Sequence, residues 1–332
     1  MRVARRRRPV SSAHSGFSGV DPGRPPGDPT AAGLRSLPRP VAVVVGAGGV
    51  LGAAHIGVGY ALERHGFVPD MIIGTSVGAL NGAIAAAHPD RAAPWLDHVW
   101  THLRRRDVYP LGYLSSRTSV FTDRGLRRLI ARAELPSRIE QLAVPFTAVA
   151  MDLVTGAPVL LDQGDLQSAL LASAAIPGML PPVDRAGRTL VDGGVIAYVP
   201  VLAAQQAGAA SVVVVATGPE SSPLRPTSTR RRAGAIAARA GLLLLHHQIE
   251  RDLHEVAQHI PTVVLPTGIE DWPAPWDFGH SQRLISTACR TAGRFLDELH
   301  IDGPGLYRVN DSSATCTSPD ETSISSTAGV GL

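Results

Sequence analysis

Cysteine is scarce: this chain of 332 residues has two, Cys289 in an amphipathic segment and Cys316 in a polar tail. Two thiols so placed argue against a disulfide framework or a zinc ribbon and fit a reducing compartment. Aromatic residues are few, at 5%, while glycine and alanine abound. That mix suits the close helix-on-sheet packing of an α/β fold better than a β-sandwich. No apolar run reaches the roughly 18 residues of a membrane-spanning helix. The opening MRVARRRRPV resembles the charged start of an export signal, but Ser, Gly and Pro follow where an apolar stretch belongs. The expectation is therefore a cytoplasmic protein with no signal peptide and no transmembrane helix.

A strongly charged body is also missing. The net charge is +3, yet residues 1–40 alone carry eight Arg and two Asp, which leaves residues 41–332 at −3. The basic character belongs to the tail, and nothing in the body reads as a nucleic-acid surface. Arg5–Arg8 offers a peripheral contact with anionic lipid headgroups; a solvated tail is the plainer reading.

What is present is a core-forming body, with 44% apolar residues. Residues 1–38, rich in Arg, Pro, Gly and Ser, read as a disordered basic tail, and residues 301–332 as a second disordered tail. Between them, 39–300 reads as one domain. The β-branched run Val41–Val45 ends in glycines and suits a buried parallel strand. A helix over 50–65 follows, stopped by Gly66, then a short strand at 71–73 and a helix over Val77–Ala87. Strand, helix, strand, helix in about 48 residues is βαβ architecture. Residues 92–140 read as mainly helical, with Trp95, Trp100, Leu111 and Leu114 as wall or lid of a groove, or simply as core. Strands are expected at 145–151, 157–161, 189–191, 211–216 and 262–265, and helices at 165–174, 233–258 and 281–300. Residues 221–232 read as a mobile polar loop.

Three glycine loops carry the chemistry. The first, Gly46-Ala47-Gly48-Gly49-Val50-Leu51-Gly52, lies between a strand and a helix, where backbone N–H groups face a bound anion. A dinucleotide fingerprint needs glycine where Leu51 stands and an acidic residue at the end of the second strand, and both are missing. The second loop is Gly74-Thr75-Ser76-Val77-Gly78, a G-x-S-x-G pentapeptide at a strand-turn-helix junction, the setting of a nucleophilic serine. Ser76 as a plain helix N-cap is the alternative. The third is Asp192-Gly193-Gly194, which reads as turn chemistry unless its place counts. Reactive groups in parallel α/β sheets gather at strand carboxyl ends, where Ser76 and Asp192 would both lie.

With these loops in this order, the chain resembles the patatin-like phospholipases. GAGGVLG, GTSVG and DGG match the family's glycine-rich loop, nucleophile and aspartate. HIGVGYALERHGFVPDMIIGTSVGALNGAIAA and SALLASAAIPGMLPPV resemble its intervening text. The likeness covers roughly residues 41–205. It implies a three-layer α/β/α fold with a mainly parallel central sheet and a Ser-Asp dyad at the strand carboxyl ends. It further implies Ser76 as nucleophile, Asp192 as base and the backbone N–H groups of Gly48, Gly49 and Val50 as oxyanion donors. Gly46, Gly52, Gly74, Gly78, Gly193 and Gly194 are the motif glycines. The implied substrate is a lipid acyl ester, with no cofactor and no metal. The chain departs from the pattern at Leu51, where the family usually has Arg or Lys, and at Ala197 and Tyr198, where Asn is frequent.

Two rivals remain at this point. An α/β-hydrolase triad would pair Ser76 and Asp192 with His246, His259 or His280, but only one strand and one helix precede Ser76, against several in that fold. A catalytically inactive lipid-binding module on the same fold would keep the loops without turnover. His254-Glu255 resembles half of a zinc motif. Its second histidine, His259, stands five residues on, about 140° around the helix from His254. The Asp277-Phe278-Gly279 tripeptide lacks the other kinase signatures.

Overall fold

The apolar run Val41–Val45 has no polar face, so as a strand it must be covered on both sides. In the computed structural model this strand, β1, is buried along its whole length near the centre of the sheet. The structure describes residues 33–309 apart from 90, 111–117, 218–232, 270–272 and 275. The expected mobile loop, the pair Leu111 and Leu114, Cys316 and Arg5–Arg8 lie outside the described residues.

From β1 the chain passes through a 3-10 turn at Gly49–Gly52 into α1 (Ala53–Arg64), β2 (Met71–Thr75) and α2 (Val77–Ala87). Helices α3 (Ala92–His102), α4 (Arg105–Val108) and α5 (Arg124–Arg132) precede β3 (Phe146–Asp152), β4 (Pro158–Leu161) and α6 (Leu166–Ser173). Then come β5 (Val183–Arg185), β6 (Arg188–Asp192), α7 (Val201–Gln206) and β7 (Ser211–Val215). The described chain closes with α8 (Ala233–Ala257), β8 (Pro261–Leu265), α9 (Ser281–Glu298) and β9 (Gly305–Tyr307).

Among the described residues the sheet runs β5-β6-β3-β2-β1-β7-β8-β9, with β4 also paired to β3. The pairings β3-β2, β2-β1, β1-β7, β7-β8 and β8-β9 are parallel. The β3-β4, β3-β6 and β5-β6 pairings are antiparallel. Because side chains alternate along a strand, Val43 and Val45 enter one apolar cluster with α1, α2, α3 and α9, while Ala42 and Val44 enter another with α7 and α8. The result is the mixed α/β, patatin-like arrangement, a mostly parallel sheet flanked by helices.

Order extends past both expected limits. Leu34 and Leu37 are buried in the first cluster around a 3-10 turn at Leu34–Ser36. At the other end β9 adds a parallel edge strand to β8, and Arg308 pairs with Glu250 of α8 at 2.7 Å. Strand pairing there overrides a polar, glycine-containing composition. Strand β5 and helix α7 were absent from the sequence expectation; both are short, with too few residues to show a period.

Candidate active site

The crossing from β2 to α2 puts Ser76 where a regular chain cannot turn. Its φ of 57° and ψ of −125° lie outside the usual regions for an L-residue, a conformation that persists only when its surroundings enforce it. Gly78 supplies one condition. A Cβ there would collide with the backbone oxygens of Val45 and Gly46, so only glycine lets α2 start this close to β1. Ser173, at the end of α6, supplies another: its hydroxyl accepts from the Ser76 N–H at 2.9 Å and donates to the Val149 carbonyl at 2.6 Å. Thr75 donates to the Ala197 carbonyl at 2.9 Å, tying the serine turn to the loop after Asp192.

Asp192 ends β6, in register with Ala150 of β3. Its Oδ2 accepts a hydrogen bond from Ser76 Oγ at 2.5 Å, and its Oδ1 accepts from the Gly194 N–H at 2.7 Å. Both residues are buried, at 6% and 4% exposure. Burial pushes the Asp192 carboxyl up to about 6, against the opposing pull of its hydrogen bonds to Ser76 and Gly194. Serine and carboxylate are in direct contact, leaving no place for a histidine between them. His246 lies on α8, His259 binds the Glu255 carbonyl, and His280 pairs with Asp277, so none of the three histidines of the rival triad bridges Ser76 and Asp192.

The glycine-rich loop closes the site from the β1 side. Gly48 and Gly49 have φ of 155° and 55°, and Gly49 lines the same cavity as Ser76. The first N–H groups of a 3-10 turn have no acceptor within the turn; Gly49 opens this turn and Val50 follows it. The loop is fixed from behind. The Thr217 hydroxyl donates to the Ala47 carbonyl at 2.8 Å, and the Ala47 N–H donates to the Tyr198 carbonyl at 2.8 Å. Asn81 of α2 donates to the Gly52 carbonyl at 3.0 Å and accepts from Trp100 Nε1 at 3.1 Å. The Asn81 amide also contacts His55 Nδ1 at 3.2 Å, and burial holds His55 neutral by lowering its pKa to about 3. His55 therefore packs. Leu51 is buried in the core, and a Cβ at Gly46 would press on the Tyr198 carbonyl and the Val199 side chain.

Ser76 opens onto an apolar cavity walled by Trp95, Leu96 and Trp100 of α3, Leu126 and Ile130 of α5, and Leu170 of α6. Residues 92–140 thus contribute a wall, and Trp95 and Trp100 are both in it. Tyr109 also lines it; burial and the nearby Asp192 charge push its hydroxyl up to about 12. Ser173, Thr75, Asn81 and Thr217 were not among the site residues expected from the sequence. Ser173, Asn81 and Thr217 are single polar residues in apolar or small-residue runs, Thr75 stands beside the serine itself, and only the fold shows what each touches.

Comparison with known proteins places part of the chain beside one family. A family model described as patatin-like phospholipase fits residues 43–204. An uncharacterised NTE-family protein of Mycobacterium tuberculosis is 38% identical over 207 residues, covering 59% of this chain and 55% of that protein. The human patatin-like phospholipase domain-containing protein 6 is 34% identical over 186 residues, or 54% of this chain and 13% of that one. The chain thus spans about half the length of the mycobacterial relatives it matches. Among solved structures, VipD from Legionella pneumophila aligns with a TM-score of 0.43 at 14% identity, over 79% of this chain and 67% of that one. Residues 43–204, which span the glycine-rich loop, Ser76 and Asp192, are thus similar to the patatin-like phospholipase family.

Proposed function

We propose that the protein is a serine acyl hydrolase that cleaves carboxylic ester bonds of lipids through an acyl-Ser76 intermediate, with Asp192 as the base. The observation that carries this reading is the 2.5 Å bond from Ser76 Oγ to a buried Asp192 carboxylate, at the opening of an apolar cavity. A free aspartate, with a pKa near 3.9, is a weak base at neutral pH. Burial brings Asp192 to about 6, closer to the operating pH where general bases work best.

The steps follow from the contacts. Asp192 takes the hydroxyl proton as Ser76 Oγ attacks the ester carbonyl carbon. The carbonyl oxygen gains negative charge and is held by N–H groups of Gly48, Gly49 and Val50. Collapse breaks the carbon–oxygen bond to the alcohol, which leaves with the proton from Asp192. Water then gives a proton to Asp192, attacks the acyl-serine and releases the fatty acid, and Ser76 recovers its proton.

The cavity selects the acyl side of the substrate. Each methylene buried there is worth about 0.8 kcal/mol, so longer acyl chains should bind better until the wall is filled. Phospholipids and lysophospholipids are the proposed lipids, met by peripheral contact with a membrane. A cytoplasmic location suits a chain whose Cys289 is unpaired. Among the described residues no helix is long and apolar enough to cross a membrane.

A fluorophosphonate probe tests the reading directly. It should label Ser76 in the wild-type protein, and Ser76→Ala should lose both labelling and turnover of a p-nitrophenyl ester. Turnover that survives this substitution would count against Ser76 as the nucleophile, and an unlabelled wild-type Ser76 without turnover would favour a binding module.

A further inference from the structure

We infer that Arg104, Arg105 and Arg106, together with Trp276, form a docking patch for an anionic lipid surface beside the mouth of the Ser76 cavity. This rests on the acyl-hydrolase reading above. The three arginines stand exposed in succession, Arg104 just before α4 and Arg105 and Arg106 in its first turn. The Arg105 guanidinium lies 5.9 Å from the Trp276 ring centre, and Trp276 is 51% exposed. An indole settles at the headgroup level of a bilayer, and guanidinium groups pair with phosphate oxygens in a planar fork.

The placement is as telling as the composition. Two surface clefts hold these arginines. One shares Tyr109 with the apolar cavity, and the other shares Leu103 and Phe278 with it. Topology agrees. Helix α2 descends from Ser76 to the start of β3, where the Val144 N–H donates to the Ala86 carbonyl. Helix α3 then climbs back, so Arg104–Arg106 stands at the strand carboxyl ends with Ser76.

Exposed apolar side chains gather on this same end of the sheet. Leu153 and Val154 follow β3, and Val195 follows Asp192. Leu244 lies on α8, whose 25 residues extend about 37 Å, against about 17 Å for a five-residue strand. The last turns of α8 are buried through Ile249, Leu253 and Val256, so its first turns rise beyond the strand ends. Val154 and Leu244 are 85% and 73% exposed. A polyanion in water would account for the arginines but not for this apolar rim. An anionic lipid surface accounts for both.

Vesicle flotation tests the patch. Carried out in the Ser76→Ala background, it reads binding without consuming lipid, and it is independent of turnover. This protein should float with phosphatidylcholine vesicles that contain phosphatidylglycerol and stay behind with pure phosphatidylcholine. Arg104→Ala, Arg105→Ala and Arg106→Ala combined should weaken anionic binding by about tenfold or more, since each basic residue at such a surface is worth roughly fivefold. The corresponding triple lysine variant should still float. In the wild-type background the alanine triple should keep its turnover of p-nitrophenyl butyrate, which establishes that it folds. Equal binding to both vesicle types, or undiminished binding of the alanine triple, overturns the proposal. So does a concentration-dependent dimer that the same substitutions dissolve, since the patch would then join two copies of the chain. Loss of vesicle binding in the alanine triple, with no esterase activity in any form, would sink the hydrolase reading and leave the patch standing.

Discussion

On one side of Ser76, polar atoms of Asp192, Gly194, Ser173 and Val149 form a chain of hydrogen bonds of 2.5 to 2.9 Å. On the other side, α3, α5 and α6 present side chains such as Leu96, Ile130 and Leu170, which meet only by packing. In the proposed mechanism the first side does the chemistry, and a displaced atom there would break it, because proton transfer and attack depend steeply on distance. The second side holds a chain of methylenes, whose attraction scales with buried area and tolerates many shapes. The same buried setting thus asks for fixed residues in one half of the site and only for volume in the other.

The sharpest way to break the polar half is Asp192→Asn, which keeps the shape and removes the base. Ester turnover should fall on the order of 10⁴-fold, the cost of the aspartate-to-asparagine change in the Ser-His-Asp triad. The same change should stabilise the fold. Asp192 titrates near 6 when folded and near 3.9 when unfolded, so the folded state holds this proton more tightly. Stability is therefore lost as pH rises from about 4 through 6, and the whole cost, about 3 kcal/mol, is present above that. Denaturant melts at pH 7.5 should show the variant more stable than wild type, with the gap closing towards pH 4. An equally stable variant at pH 7.5 would mean that the carboxylate is not held at a cost.

The second break comes from pH itself. Because the base must be ionised, kcat/KM for a soluble ester should fall about tenfold for each unit below the Asp192 value near 6. A rate limb near 4 would show an unperturbed carboxylate doing the work. Ser173→Ala tests a smaller effect on the same side. It leaves the buried Ser76 N–H without an acceptor, a loss worth about 1–3 kcal/mol. Turnover should drop between about fivefold and a hundredfold, with little change in KM.

This contrast also explains how much of the molecule was legible in the sequence. Ser76 and Asp192 stand in glycine loops whose spacing is dictated by backbone collisions, such as the one Gly78 avoids. Those collisions leave a pattern in the text. The long strands β1, β3, β7 and β8 and the helices α2, α6, α8 and α9 were readable for a similar reason, since each is long enough to show burial or a period. Ser173 and Asn81 left no such trace. Their partners lie on other elements, Ser76 and Val149 for Ser173, and Gly52 and Trp100 for Asn81, and a lone polar residue in an apolar helix does not name its partner. The wall was ambiguous for the opposite reason. Trp95 and Trp100 read equally well as core or groove, because packing against a substrate and packing against the protein ask for the same side chains. Leu34, Leu37 and β9 were missed because Pro, Gly and Arg dominated their surroundings, while the contacts that order them come from distant parts of the chain.

The apolar half should yield to a change of volume and to little else, and Val99→Trp is the mildest test of that. Val99 lies on α3 and lines the cavity. An indole there would occupy space that the distal end of an acyl chain needs, while Ser76 and Asp192 keep their contacts. Across p-nitrophenyl esters of rising chain length, wild-type KM should fall about fourfold per added methylene, from about 0.8 kcal/mol each, until the wall is filled. The variant should match wild type on the acetate and stop improving several methylenes earlier, with kcat on the short esters unchanged. If the variant instead lost turnover on acetate, the wall would be part of the catalytic geometry. The two sides of Ser76 would then be one mechanical unit and not two.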